Sequence, residues 1–530
     1  MLFNSLPFLL LFLPISLGGY YLAGHIRSSW AAAWLCFASL VFYGWWNPPF
    51  VLLLLVSILF NYSIGRLVLA SEDHPQRQLS ILVTGVVINL GVLFYYKYMM
   101  AVFSILTGYG LVTHGAQDII LPLGISFFTF TQLGFLLDCR AGAVKEKSFI
   151  SYVLFVTFFP HLIAGPILHH KEMMPQFADA KIYRFNVENI SIGTTLFVIG
   201  LAKKVLIADN IAPWAEAGFD APVGLQFLSA WGVALAYALQ LYFDFSGYSD
   251  MAMGLGKMFG IRFPLNFNSP YKSTGIIEFW TRFHMTLTRY LTAYIYNPVA
   301  MAITRSRAVK GFAVGKKGLK TPRGFSEMVL FPTLFTMGLA GVWHGAGLQF
   351  LIFGLLHGFY LCVNHAWRQF GPKKTTSSAG WSHAAYVGLT FLCAVVALLF
   401  FRANSTSDAW ALIQGMAGIN GMEPWAPLLH PIQLMLHPAS GWSSMDLVHL
   451  LLERWAQGFL IIILLLVVWF APNSVQLLGA YSPALEGEIP GVAPWMRWRP
   501  SATWLLLTLI VLIYAAFNLH STARFLYFQF

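Results

Sequence analysis

The sequence predicts an all-α polytopic membrane protein, and three observations lead there. Of its 530 residues, 58% are hydrophobic and only 10% are charged, against a usual charged share of about 25%. Mean hydropathy is +0.66. The apolar residues also fall in long runs: the forty residues from Met328 to Trp367 include no Asp, Glu, Lys or Arg, about enough for two passes of about twenty residues each. A soluble chain of this size could not hide so much apolar surface. The formal charge of +11 is explained by Lys and Arg held on one side of the membrane rather than by a nucleic-acid partner. Four separate cysteines, Cys36, Cys139, Cys362 and Cys393, form no CxxC pair and no disulfide framework, so they are packing residues.

The first hundred residues are spans with short connections. Leu6 to Ala23, Trp30 to Trp46 and Phe50 to Ala70 are apolar runs, with Trp45-Trp46 suited to a headgroup interface. Met1-Leu2-Phe3-Asn4 has no basic n-region, so the first run is expected to be a retained span. Leu79 to Tyr96 spans again, and Lys97 behind it is expected to be a snorkelling anchor. Ile119 to Leu137 is apolar but carries Pro122, Gly124, Ser126, Thr129, Thr131 and Gln132, which suits a helix facing protein or a cavity. After a basic loop, Arg140 to Lys147, the run Phe149 to Leu168 contains Pro160, Gly165 and Pro166. That predicts a broken or re-entrant helix whose freed backbone is covered by protein or water. His161, His169 and His170 have no recognised metal-ligand spacing, and no metal site is expected.

Ile192 to Ile207 spans with Lys203-Lys204 inside it, and Gln226 to Leu241 runs into Tyr242-Phe243-Asp244-Phe245-Ser246-Gly247-Tyr248-Ser249-Asp250-Met251-Ala252. Asp244 and Asp250 fit either a structural network, the favoured reading, or the orientation of an active site. Pro264 to Tyr271 is turn-rich. Ile276 to Tyr290 is too charged to span and reads as an interfacial or inward-folded amphipathic helix, with Trp280, His284 and Leu287 on one face. Thr304 to Arg323 carries seven Lys/Arg and no acid, the strongest cytoplasmic marker in the chain. A polyanionic donor could also use this belt.

From that side, Met328 to Val342 climbs about 22 Å before Gly338-Leu339-Ala340-Gly341-Val342-Trp343-His344-Gly345-Ala346-Gly347, whose glycines are expected to interrupt the helix. A titratable imidazole at such depth suggests function by default, and the glycines let another backbone or a flat ligand come close. A helix crossing around a core histidine accounts for the same residues. His357, 13 residues on, lies over roughly 200° round an ideal helix from His344 and is expected to pack. Ala384 to Phe401 spans. Ala403 to Glu453 has no Lys or Arg and is placed outside, and Trp455 to Phe470 and Thr503 to Phe517 complete roughly eleven to thirteen passes.

There is no P-loop, GxSxG elbow, HExxH or clustered cysteine site. A neutral imidazole can take a proton from an attacking hydroxyl at physiological pH. Acyl transfer from a thioester to an alcohol needs that base, a path for each substrate and exclusion of water. A transporter with a histidine proton relay is the alternative of another class, although no internal repeat with paired broken helices supports it.

Gly341-Val342-Trp343-His344-Gly345-Ala346, preceded by Phe279-Trp280-Thr281-Arg282-Phe283-His284-Met285-Thr286-Leu287, resembles the membrane-bound O-acyltransferases, in the branch of the alginate O-acetylation membrane subunit. Leu121 to Phe130, Tyr242 to Met251 and Phe400-Phe401-Arg402-Ala403 carry the same resemblance. It implies a single integral-membrane domain over residues 1–530, with a motif-bearing core at about 119–370 and an outer loop at about 403–453. It further implies His344 as the essential histidine at the base of a central catalytic funnel open to the cytoplasm, with His284 in support. The implied activity moves acetyl from a cytoplasmic donor, acetyl-CoA, across a bacterial inner membrane for O-acetylation of alginate or a similar exopolysaccharide. Periplasmic acetyltransferase partners would complete the transfer, and no tightly bound cofactor is implied. D-alanyl transfer to teichoic acid is the alternative within the family. The C-terminal Phe525-Leu526-Tyr527-Phe528-Gln529-Phe530 resembles a terminal motif of the same group. There the Tyr527 phenol could carry an acyl ester, or the segment could serve as an aromatic interface anchor.

Overall fold

In the computed structural model the described residues are 1–111, 119–371, 380–422, 444–485 and 491–519, with the backbone alone described for 444–455. They are helical, with no strand among them. Seven helices are long and apolar enough to cross a membrane: Phe8–Ile26, Pro49–Ala70, Pro75–Gly108, Val187–Asp220, Pro322–His344, Leu348–Phe370 and Gly380–Arg402. Ser28–Gly44, Ala456–Phe470 and Ala502–Phe517 are shorter apolar helices.

The centre is the helix Phe227–Met258, buried on every side from Ala236 to Met258. A helix enclosed all round is an interior element, and glycines let it pack closely on the Val187–Ala202 helix. A Cβ at Gly200 would lie 2.5 Å from the Gly247 carbonyl oxygen, and one at Gly193 would lie 2.5 Å from that of Gly254. Only small residues allow two backbones so close. The same pair of helices explains two lysines inside an apolar run. Lys204 lies between Asp209 and Asp244 at 2.7 Å each, and Lys203 meets Asp250 at 2.6 Å. Ser474 also donates to Asp250, at 2.7 Å. The two aspartates therefore belong to a structural network, the reading the sequence favoured.

Around this centre the irregular segments are protein-covered. The run from Phe149 breaks at Phe158 into Phe149–Thr157 and Phe159–Leu162, and the hydroxyls of Ser39 and Thr286 accept from the backbone N–H groups of Phe159 and Ile167, at 3.2 and 3.0 Å. That is how lipid-depth backbone freed from a helix becomes tolerable.

Two local expectations are corrected. Gly338 and Gly341 do not interrupt the helix of the deep histidine, which runs unbroken from Phe331 to His344 and stops at Gly345. Instead they face the following helix: a Cβ at Gly341 would lie 2.3 Å from the Phe350 carbonyl oxygen, so the close partner is another backbone. The segment from Ile276 to Tyr290 is not one amphipathic helix. It is two, Ile276–Trp280 and Met285–Leu291, turned inward and joined through His284 in the left-handed region. The basic segment Thr304 to Arg323 is largely helical: Asn297–Val309 runs into it, and Gly315–Leu319 and Pro322–Phe325 follow. Arg307 and Arg323 both pair with Glu327 across it.

Candidate active site

His344 is the last residue of its helix. The continuous helical span from Pro322 covers 23 residues, about 35 Å at 1.5 Å each, so His344 lies at the end remote from the basic segment. The final carbonyls of a helix have no intrahelical donor, and here the Pro75–Gly108 helix supplies two. The Tyr98 hydroxyl donates to the Val342 carbonyl at 2.7 Å, and the Lys97 ammonium donates to that of Trp343. Lys97 is therefore not only the membrane anchor expected from sequence: its ammonium is held against the end of the His344 helix. The rings of Trp343 and Phe130 stack at 5.0 Å, and Phe401 meets the His344 imidazole edge-on at 4.9 Å.

His284 comes from a different part of the chain. Its φ of 44° is strained for a residue with a side chain, a conformation that persists only where its surroundings fix it. The Pro264–Tyr271 stretch does so by pairing alongside: Met285 N–H donates to the Asn266 carbonyl at 2.9 Å, and Asn268 N–H donates to that of Arg282 at 2.8 Å. The Asn266 side chain then holds the imidazole. Its Oδ1 accepts from the Thr286 hydroxyl at 2.8 Å and faces His284 Nδ1 at 3.1 Å, while its Nδ2 donates to Ser249 at 3.1 Å. Because Oδ1 can only accept, Nδ1 carries the proton. Nε2 is then the basic nitrogen of His284.

The two histidines share a cavity. A space of about 20 Å³ has both imidazoles in its wall, along with Phe245, Phe283, Phe353 and Phe401. Trp280 and Leu287 also line it, so the three residues expected on one helix face do converge, across a broken helix. A second cavity of about 280 Å³ reaches His344 from another side, walled by Lys97, Ser126, Trp343 and the backbone turn at Pro122–Gly124, with exposed Trp46 at its edge. His344 is the titratable residue common to both. The Ile125–Arg140 helix runs from this second cavity back to the Arg140–Lys147 loop, so the larger cavity lies at the end of the molecule remote from both basic segments.

His357 takes no part in either cavity. It is buried, accepts from the Trp280 indole N–H at 3.3 Å and packs on Phe279 and Phe353, as a packing histidine would. Sequence reasoning missed Asn266 and the place of Lys97. The signal for Asn266 was a polar residue inside a proline-bounded turn next to a buried helix, and for Lys97 a lone cation inside an apolar run. Tyr527, the rest of the 525–530 motif and residues 423–443 of the outer loop lie outside the described residues.

Three relatives and one family description bear on this arrangement. The description "MBOAT, membrane-bound O-acyltransferase family" matches residues 69–315, a stretch that contains Lys97, Asn266 and His284 and ends before His344. The peptidoglycan O-acetyltransferase of Helicobacter pylori is 38% identical over 457 residues, 80% of this chain and 81% of its own. The probable alginate O-acetylase AlgI of Pseudomonas aeruginosa is 37% identical over 422 residues, 78% of this chain and 75% of its own. The teichoic acid D-alanyltransferase of Bacillus subtilis is 28% identical over 280 residues, 52% of this chain and 68% of its own.

Proposed function

Since the chain belongs to the membrane-bound O-acyltransferase family, we propose that it O-acetylates a polysaccharide outside the cell, with His344 as the catalytic base and His284 in support. Membership in a family of O-acyltransferases makes the chain a multi-pass membrane enzyme and sets the transporter alternative aside. The observation that carries the site assignment is the position of His344 in the common wall of two cavities. Acyl transfer brings donor and acceptor to one base from different directions, and that is the geometry His344 offers.

In this reading the acceptor hydroxyl gives its proton to the His344 imidazole as its oxygen attacks the acyl carbon. His284, fixed by Asn266 with Nε2 basic, orients the reacting groups or accepts the proton in turn. The donor is acetyl-CoA, drawn from the side of the basic helices, and the enzyme resides in a bacterial inner membrane. Periplasmic acetyltransferases receive the acetyl group, and no tightly bound cofactor takes part. The relatives named for peptidoglycan and for alginate are 38% and 37% identical, so O-acetylation is the shared element and either polymer is a candidate. Tyr527 is proposed as the carrier that takes the acetyl group onward.

The test is transfer of labelled acetyl from acetyl-CoA in native membranes, wild type against His344→Ala at matched protein level. Loss of transfer in a well-folded variant supports the reading. Equal transfer would leave His344 as a packing residue.

A further inference from the structure

The scheme above leaves Lys97 unused. It lies within the 34-residue Pro75–Gly108 helix, half-buried, and lines the larger cavity together with His344. Its one hydrogen bond among the described residues is to the Trp343 carbonyl, and its ammonium also sits 5.5 Å from the centre of the Trp343 ring. An ammonium has three N–H donors, so two remain. Among the described residues no Asp or Glu lines the cavity, and Lys97 joins none of their ion pairs. A half-buried cation with no carboxylate partner among the described residues is costly and is retained for a reason.

Capping the helix is not reason enough. Tyr98, the next residue, caps the neighbouring carbonyl of Val342 with a neutral hydroxyl. What a charge adds is attraction for negative charge arising in the cavity. It lies beside the residue at which acyl transfer would create that charge, in surroundings where protein rather than water sets the strength of the interaction.

We propose that the Lys97 ammonium stabilises the oxyanion formed when an acyl thioester is attacked at His344. The inference rests on the acyl-transfer reading of that histidine. The acceptor oxygen bonds to the acyl carbon while its proton moves to the imidazole, and the carbonyl π electrons move onto oxygen. That oxygen is the group Lys97 receives with its remaining N–H donors. On collapse the C=O bond re-forms and the C–S bond breaks with its electron pair on sulfur. The sulfur takes the proton back from the imidazolium and leaves as a thiol. Lys97 is unchanged throughout. Its positive charge is balanced once the oxyanion forms, so it favours that state.

The experiment measures kcat and KM for ester formation from radiolabelled acetyl-CoA in native membranes, for Lys97→Met, Lys97→Gln, Lys97→Arg, Tyr98→Phe and His344→Ala. Loss of an oxyanion donor lowers kcat by about 10²–10³-fold. We expect that fall in Lys97→Met or Lys97→Gln, whichever accumulates, with KM moving less than about threefold. Lys97→Arg keeps the charge and should recover at least about a tenth of wild-type kcat, and Tyr98→Phe should stay within about threefold of it. The proposal is overturned if the uncharged variants keep kcat within about threefold, if they raise KM alone, or if Tyr98→Phe falls as far as they do. An inactive His344→Ala beside an active Lys97→Met sinks the Lys97 proposal alone. An active His344→Ala sinks the base assignment and takes this proposal with it.

Discussion

His284 Nδ1 donates to Asn266 Oδ1 across 3.1 Å, and this contact fixes the tautomer of the imidazole, while backbone pairing with Asn266 and Asn268 fixes the left-handed turn that presents it. Asn266→Ala would leave His284, Thr286 and Ser249 without their buried partner, at about 1–3 kcal/mol for the unsatisfied groups. We expect a lower thermal midpoint in detergent and a fall in acetyl transfer of about 10-fold or more, toward the 10²–10⁴ range of a lost general base. Wild-type kcat in Asn266→Ala would show that His284 needs no such orientation.

Gly341 and Gly338 look alike in sequence but not in surroundings. A Cβ at Gly341 would lie 2.3 Å from the Phe350 carbonyl oxygen, whereas one at Gly338 finds its nearest neighbour at an ordinary 3.4 Å, in Leu355. Gly341→Ala should destabilise by about 1–3 kcal/mol through overpacking. Gly338→Ala should be neutral, or gain up to about 1 kcal/mol from helix propensity. Thermal unfolding of the two purified variants side by side decides it, and equal midpoints would contradict a tight crossing.

Removing Lys204 by Lys204→Met strands Asp209 and Asp244, its two buried carboxylate partners. Breaking a buried pair in this way costs about 3–5 kcal/mol. The triple variant with Asp209→Asn and Asp244→Asn should recover a large part of that loss, because no uncompensated charge remains. Expression level and unfolding temperature report both. A triple variant as unstable as the single one would mean the lysine stem, not its charge, matters.

His357 separates packing from catalysis. His357→Phe removes the acceptor for the Trp280 indole, a loss of about 1–3 kcal/mol for a buried unpaired donor, but leaves both cavities their titratable groups. Thermal stability should drop while transfer per folded molecule stays within about threefold of wild type, measured beside an inactive His344→Ala. Inactivation at full stability would bring His357 into the chemistry.

Tyr527→Phe keeps an aromatic side chain and deletes the nucleophilic oxygen. If Tyr527 carries acetyl, labelled ester on the polymer falls to background while the protein still accumulates in membranes. Undiminished polymer acetylation rules the carrier out.

The membrane architecture was legible, and His344 and His284 stood out as candidates, because both are written in local patterns: uncharged runs, a glycine-rich motif, a basic belt. The break at Phe158 followed in the same way from Pro160 and Gly165. What stayed hidden depends on contacts distant in sequence. Asn266 matters through His284, 18 residues away, and Lys97 through Trp343, 246 residues away. No periodicity records such a pairing. The helix drawn through Ile276 to Tyr290 failed for a related reason, since the left-handed turn at His284 is imposed by Asn266 and its neighbours from outside the segment. The fate of Gly341 was ambiguous until Gly354 and Phe350 were seen against it.

The narrow space between the histidines has one more consequence. At about 20 Å³ it holds on the order of one water molecule, and phenylalanines dominate its wall, so no file of waters can form across it. An ion that keeps its hydration shell therefore has no path through the protein at this point. A membrane that stores an ion gradient can host this enzyme without being short-circuited by it. The insulation comes from the same aromatic packing that holds the two imidazoles in place.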